Sequence, residues 1–210
     1  TRKESSAASD VYKRQWYDRI NNFFLKNGFE RCPFEHTLYM KKHSKGGFMI
    51  VSLYVDDLIF TGDNMEMLSE FKNSMMKEFE MTDLGELHHF LGIGVQQSKC
   101  GIFISQEKYA AQVLEKFNMM KANPVSTPCV AGLKLCKNGE GKFVDPTIFR
   151  SLVGNLMYLT ATRPDIMYPV SLISRFMEKP FSNHWEATKR ILRYIKGTID
   201  YGIFYEACVP

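Results

Sequence analysis

The sequence predicts an α+β fold in two lobes, and three observations carry that prediction. Residues 16–105 mix helical patterns with short runs rich in β-branched and aromatic residues. Residues 121–146 are rich in Pro, Gly, Asn and Lys and read as an extended linker. Beyond them the pattern is almost entirely helical. A chain of 210 residues is long enough for one large or two small domains with a real core.

Taken in order, residues 1–15, "TRKESSAASDVYKRQ", are polar, lack a hydrophobic period and read as a tail. "WYDRINNFFLKNGFE" then places Trp16, Ile20, Phe23 and Phe24 near helical spacing, with Gly28 where a C-terminal glycine belongs. "HTLYMKK" and "GFMIVSLYV" read as strands separated by the loop "HSKGG". "DNMEMLSEFKNSMMKEFEM" follows as a helix. Asp63 and Glu66 form a capping-box pattern, and Leu68, Phe71, Met75 and Phe79 make an apolar stripe suited to core packing. "LGELHHFLGIGVQQSKCGIFISQ" predicts two strands joined near "SKCG", and "EKYAAQVLEKFNM" a short helix with Tyr109, Val113 and Phe117 on one side. "TIFRSLVGNLMYLTAT" and "PDIMYPVSLISRFME" are helical, with Pro169 shortening or kinking the second. "NHWEATKRILRYIKG" is a helix ending in a glycine, and "DYGIFYE" a final strand.

Composition excludes several classes. Hydrophobic residues at 45% and charged residues at 24% are ordinary for a globular chain. A net charge of +4 suits a polyanionic partner without demanding one. Five scattered cysteines, Cys32, Cys100, Cys129, Cys136 and Cys208, make no C-x-x-C and argue for a reducing compartment over a disulfide framework. "CPFEH" has no second ligand pair at zinc-finger spacing. No apolar run reaches the length of a membrane span.

The sharpest feature is "YVDDLIFTGDN", residues 54–64. Asp56 and Asp57 interrupt an apolar run. A tight hairpin there would favour Asn-Gly or Asp-Gly, because positive φ is needed at its centre, and this stretch has no glycine at the aspartates. Adjacent carboxylates repel and lose solvation unless a cation compensates. A divalent metal is the natural compensation, and a hairpin tip would present both groups to a cleft.

"WYDRINNFFLKNGFERC", "YVDDLIFTGDN", "EFEMTDLGELHHFLGIGV", "STPCVAGLKL", "FRSLVGNLMYLTATRPDIMYPVSLISRFM" and "HWEATKRILRYIKGT" together resemble, in order, the polymerase of copia-type LTR retrotransposons. The resemblance covers residues 16 to about 205. It implies a partial right-hand polymerase: later palm over residues 16–96, thumb start and linker over 97–146, and a helical thumb or connection over 147–210 that precedes a ribonuclease H domain. It implies RNA-directed DNA synthesis by a two-metal Mg²⁺ mechanism, with Asp56 and Asp57 as metal-binding catalytic residues and Tyr54 and Val55 flanking them. His89, Phe90, Leu91 and Gly92 are similar to a primer grip. The implied partners are an RNA template, a DNA primer, deoxynucleoside triphosphates and the rest of a Pol polyprotein, including integrase and ribonuclease H. No membrane is implied, and the implied setting is intracellular, in a cytoplasmic virus-like particle for the intact parent.

The resemblance also implies a third aspartate on an earlier palm strand, which no segment here matches. Gln15 does not align with the family's pocket glutamine, and Asp10 has no strand around it. Residues 1–15 are accordingly expected to be foreign to the family, and this chain to be an inactive fragment. Two other readings stand beside the enzyme. One is a nucleic-acid-binding module using the basic face Lys189, Arg190, Arg193 and Lys196, opposite Trp185, Thr188, Leu192 and Ile195. The other is an inert remnant with an unpaired sheet edge.

Overall fold

The computed structural model describes residues 2–43 and 46–207, with side chains described from Arg14 onward. Part of the predicted loop "HSKGG", the Asp10 side chain and Cys208 lie outside the described residues. The fold is mixed helix and sheet, as the sequence predicts. The chain divides into two compact units, residues 1–86 and 87–210. The division falls ten residues earlier than the expected boundary after residue 96, because the strand that crosses 96 pairs with His89–Phe90 and Gly101–Ser105, both beyond residue 86.

In the first unit, α1 (Arg2–Lys26) leads into an antiparallel sheet of β1 (Glu30–Arg31), β2 (Leu38–Lys42), β3 (Phe48–Tyr54) and β4 (Asp57–Gly62), followed by α2 (Met65–Glu78). The expected tail is helical from Arg2. A missing hydrophobic period removes the sign of a buried face, not helix propensity, and this stretch has Ala, Lys, Arg and Gln with no Gly or Pro. α1 ends as predicted: Gly28 has φ +78°, and Phe29 N–H closes on Phe24 O.

β3 alternates, with Met49, Val51 and Leu53 buried between Phe48, Ile50, Ser52 and Tyr54. Those three pack with Ile20 and Phe24 from α1, Phe29, Tyr39 from β2, and Met67, Phe71 and Met75 from α2. Aromatic edges lock the core: Phe24 meets Tyr39 at 4.7 Å, and Phe60 meets Phe71 at 5.2 Å. The α2 cap differs from expectation. Asn64 Oδ1 accepts from Met67 N–H, while Asp63 Oδ1 accepts from Phe48 N–H and ties β3 to the end of β4. The buried stripe is accordingly Met67, Phe71, Met75 and Phe79, with Leu68 only half-buried.

In the second unit, β5 (His89–Phe90), β6 (Ile93–Ser98), β7 (Gly101–Ser105) and β8 (Gly202–Glu206) form an antiparallel sheet in sequence order. Between β7 and β8 lie α3 (Glu107–Lys116), α4 (Pro146–Leu159), α5 (Met167–Ser174) and α6 (Ser182–Gly197). Pro169 sits in the first turn of the eight-residue α5, where its missing N–H costs no helical bond. The core is helical: Val113 and Leu114 from α3, Phe149, Leu152, Val153, Leu156 and Leu159 from α4, Val170 and Ile173 from α5, and Ile191, Leu192 and Ile195 from α6. Gly197 closes the last turn of α6 rather than capping it, and a Cβ there would stand 3.0 Å from Pro124 Cβ.

Polar locks brace this core. Arg163, 3% exposed, donates bidentately to Asp165 and also to the carbonyl and hydroxyl of Thr198, between the rings of Tyr194 and Tyr201. His184, fully buried, stacks on Phe176 at 4.0 Å; its Nδ1 accepts from Phe181 N–H and its Nε2 meets Cys136 O. Nδ1 is therefore the bare nitrogen and Nε2 carries the proton.

Candidate active site

Tyr54 pairs with Asp57 across β3 and β4, so Val55 and Asp56 are a two-residue turn. Val55 has φ +52°, and Asp56 does not share the positive sign. Positive φ at the first central position alone is the pattern of a type II′ turn, a place that glycine normally takes. A β-branched residue there is an outlier, and such strain costs on the order of 1–3 kcal/mol.

Tyr54, Val55, Asp56 and Asp57 are all exposed. The hairpin thus lifts both carboxylates into solvent on a rigid sheet, one from the turn and one from the first residue of β4. Trp16, on α1, donates its indole N–H to Val55 O at 2.9 Å. Its ring sits edge-on to Phe79 at 5.3 Å.

Two adjacent exposed carboxylates suit a hard divalent cation, which takes one or two carboxylates and completes its shell with water or phosphate. Among the described residues no group of three or more His, Cys, Asp or Glu side chains is gathered. The donor chemistry of Asp56 and Asp57, two adjacent exposed carboxylates, fits such an ion.

The stretch His89–Gly92 belongs to the second unit. Phe90 pairs with Ile93, so Leu91 and Gly92 are a second two-residue turn, with φ +48° and +80°. Both signs are positive, as a type I′ turn requires. Tyr158 of α4 donates its hydroxyl to Leu91 O, and Tyr109 meets the Tyr158 ring edge-on at 4.9 Å while donating to Asn155 Oδ1. His89 is exposed and Phe90 half-buried.

The basic face of α6 is partly engaged within its own unit. Arg190 donates to Thr127 Oγ1 at 2.9 Å and Arg193 to Asn123 O at 2.7 Å, so both bind the irregular segment 121–146 to the helix. Lys189 lies over the Trp185 ring at 5.7 Å and is exposed, and Lys196 is half-exposed.

The family model described as reverse transcriptase (RNA-dependent DNA polymerase) matches residues 11–131, more than half of the chain. Among similar curated proteins, the retrovirus-related Pol polyprotein from transposon RE1 of Arabidopsis thaliana is 38% identical over 191 residues, 91% of this chain. That from transposon TNT 1-94 of Nicotiana tabacum is 39% identical over 194 residues, 88% of this chain. The chain belongs to the reverse transcriptase family of copia-type retrotransposons.

This reverse transcriptase domain spans 13% of the RE1 polyprotein and 15% of the TNT 1-94 polyprotein. An uncharacterized mitochondrial protein of Arabidopsis thaliana is 43% identical over 157 residues, covering 74% of this chain and 65% of that protein. No solved structure matches the chain. The family match begins at residue 11, inside the stretch expected to be foreign, and it continues through a helix with no break at residue 15. Reverse transcriptases generally use Mg²⁺, the ion whose chemistry suits the paired carboxylates. No helix among the described residues is long and apolar enough to cross a membrane.

Sequence reasoning missed the two aromatic donors. Trp16 was legible only as one apolar position of a helix, and Tyr158 only as part of a helical run. No local pattern announces that a side chain will hydrogen-bond a carbonyl 39 or 67 residues away.

Proposed function

We propose that the first unit is the later palm of an RNA-directed DNA polymerase and that the second carries its thumb and connection. The observation that supports this most is the exposed Asp56–Asp57 pair on a strained two-residue turn, in a chain of the reverse transcriptase family. When bound, Mg²⁺ supplies charge to a displacement at phosphorus by stabilising the attacking and leaving oxygens.

The chain's own contribution is positioning. Asp56 and Asp57 hold the ion at the tip of a sheet whose other face is packed with Met49, Val51 and Leu53. Tyr54 and Val55, half-exposed beside them, offer an apolar surface against which a primer terminus can rest. The turn Leu91–Gly92, fixed by Tyr158, is the primer-grip element of the second unit. Lys189 and Lys196 remain available for sequence-independent phosphate contacts, while Arg190 and Arg193 hold the linker. RNA template, DNA primer and deoxynucleoside triphosphates are the partners of this reading, within a Pol polyprotein that works in a cytoplasmic particle.

As it stands, the 210-residue chain is a catalytically silent part of that enzyme. Two carboxylates place one ion loosely, and phosphoryl transfer depends on tight placement of metals and phosphates. Mn²⁺ binding followed by electron paramagnetic resonance, together with primer extension on a homopolymer template, tests both statements. The expected result is weak Mn²⁺ binding by the parent, lost in Asp56→Asn and Asp57→Asn, with no extension product. Unchanged Mn²⁺ binding in the double variant would overturn the metal assignment. Extension abolished by Asp56→Asn would overturn the claim of silence.

A further inference from the structure

We propose that Trp16 is a positioning residue: its indole N–H holds Val55 in the left-handed conformation that presents Asp56, and so sets the geometry of the paired carboxylates. This rests on the reading of Asp56 and Asp57 as metal ligands and names the residue that shapes their turn. Val55 is β-branched, stands at φ +52° and lies in a turn with no glycine, so the turn's own chemistry opposes its shape.

An external restraint is needed, and the Val55 carbonyl receives one. The Val55 carbonyl lies on the peptide that links Val55 to Asp56, so fixing that oxygen fixes the plane from which Asp56 departs. Trp16 Nε1 donates to it at 2.9 Å.

The donor is itself held. Its ring meets Phe79 edge-on at 5.3 Å, and α1 is fixed in register by Ile20 and Phe24, both fully buried in the first-unit core. The restraint thus runs from a packed helix to an exposed turn through a single hydrogen bond. Relaxation of Val55 to negative φ would reorient that peptide and swing Asp56 away from its present relation to Asp57. Trp16 touches neither ion nor substrate in this account; it acts through Val55.

The test uses the full 210-residue chain. Trp16→Phe keeps a ring against Phe79 and removes only the donor. Val55→Gly removes the steric objection to positive φ and leaves the carbonyl. Trp16→Phe is expected to weaken Mn²⁺ binding by about three- to fivefold, the scale of one hydrogen bond. In the Val55→Gly background the same change is expected to cost little, because a glycine turn keeps its shape without help. A purely structural Trp16 would show the same loss in both backgrounds, and that outcome overturns the proposal.

A metal-free reading separates the proposal from the assignment it rests on. In Trp16→Phe the backbone carbon shifts of Val55 are expected to move away from left-handed values, and to stay in place in Asp56→Asn. Unmoved Val55 shifts in Trp16→Phe overturn the positioning role. Unchanged Mn²⁺ affinity in Asp56→Asn overturns the metal assignment alone.

Discussion

The turns Val55–Asp56 and Leu91–Gly92 solve one backbone problem with different residues. Each joins two antiparallel strands through two residues, and in each an aromatic side chain from a helix donates to the carbonyl of a non-glycine residue at positive φ. The second turn spends its glycine where the second positive φ falls, and a Cβ on Gly92 would meet Tyr158 Oη at 3.3 Å. The sequence reads through it, placing only two strands in this stretch with their join near "SKCG", whereas the structure breaks the first of them at Leu91–Gly92 into β5 and β6. The first turn has a valine and an aspartate instead, against its own propensities. On the proposed function, the side chains of that turn are the ones the chemistry needs, which is where such broken local rules tend to gather.

The largest expected effect that sharpens this contrast is at Gly92. Gly92→Val would combine positive φ with a crowded Cβ, and should destabilise the second unit by about 2–3 kcal/mol. Hydrogen exchange read separately on each unit checks this, since the first unit should keep its protection. Next, Tyr158→Phe and Trp16→Phe each remove one donor and should each cost about 1 kcal/mol, each confined to its own unit. An effect of Tyr158→Phe on first-unit amides would break the comparison.

Val55→Gly reverses the sign. Relief of strain outweighs the added chain entropy, so urea unfolding of the first unit should show a gain of about 0.5–1 kcal/mol. Asp56→Asn should lower Mn²⁺ affinity while leaving urea unfolding unchanged or slightly improved, because it removes one of two repelling charges. The smallest effect is a response to acid, and it should separate the units as well. Burial holds the His184 imidazole below its ordinary pKa. Its contribution to the second unit is therefore complete above the unfolded value near 6.5 and is lost as pH falls through the lower folded value. Protonation takes away the Nδ1 acceptor for Phe181 N–H. Melting of the second unit should thus drop modestly between neutral and mildly acidic pH, and His184→Gln should flatten that slope.

Much of the fold was legible because its signals are local. The alternation in "FMIVSLYV" reports a half-buried strand directly, and Gly28 reports the end of α1. The misreadings share a cause as well. Asp63 and Asn64 are both good caps, and the choice between them rests on a strand 15 residues earlier that takes Asp63 for its own N–H. Residues 2–15 had no period to read, because period reports a buried face and not a helix. At the site, the aspartates were legible through their conflict with turn chemistry, whereas Trp16 and Tyr158 depend on tertiary distance alone. The basic face of α6 was visible in sequence, but not that Arg190 and Arg193 would be taken up by the segment 121–146.

The pairing of β7 with β8 has a consequence for the order in which the chain acquires structure. Gly101 is bonded in register to Glu206, so the second sheet is completed across roughly a hundred intervening residues. The first unit has all its strands and helices by residue 86. At ribosomal speeds of about 5–20 residues per second, the first sheet can form while β7 must wait on the order of 5–20 s for its partner. Through that interval the edge of β7, with Ile102, Phe103 and Ile104, is an open template for other strands. Nascent chains stalled before residue 202 should therefore be captured by chaperones through this segment, and chains released after residue 206 should not.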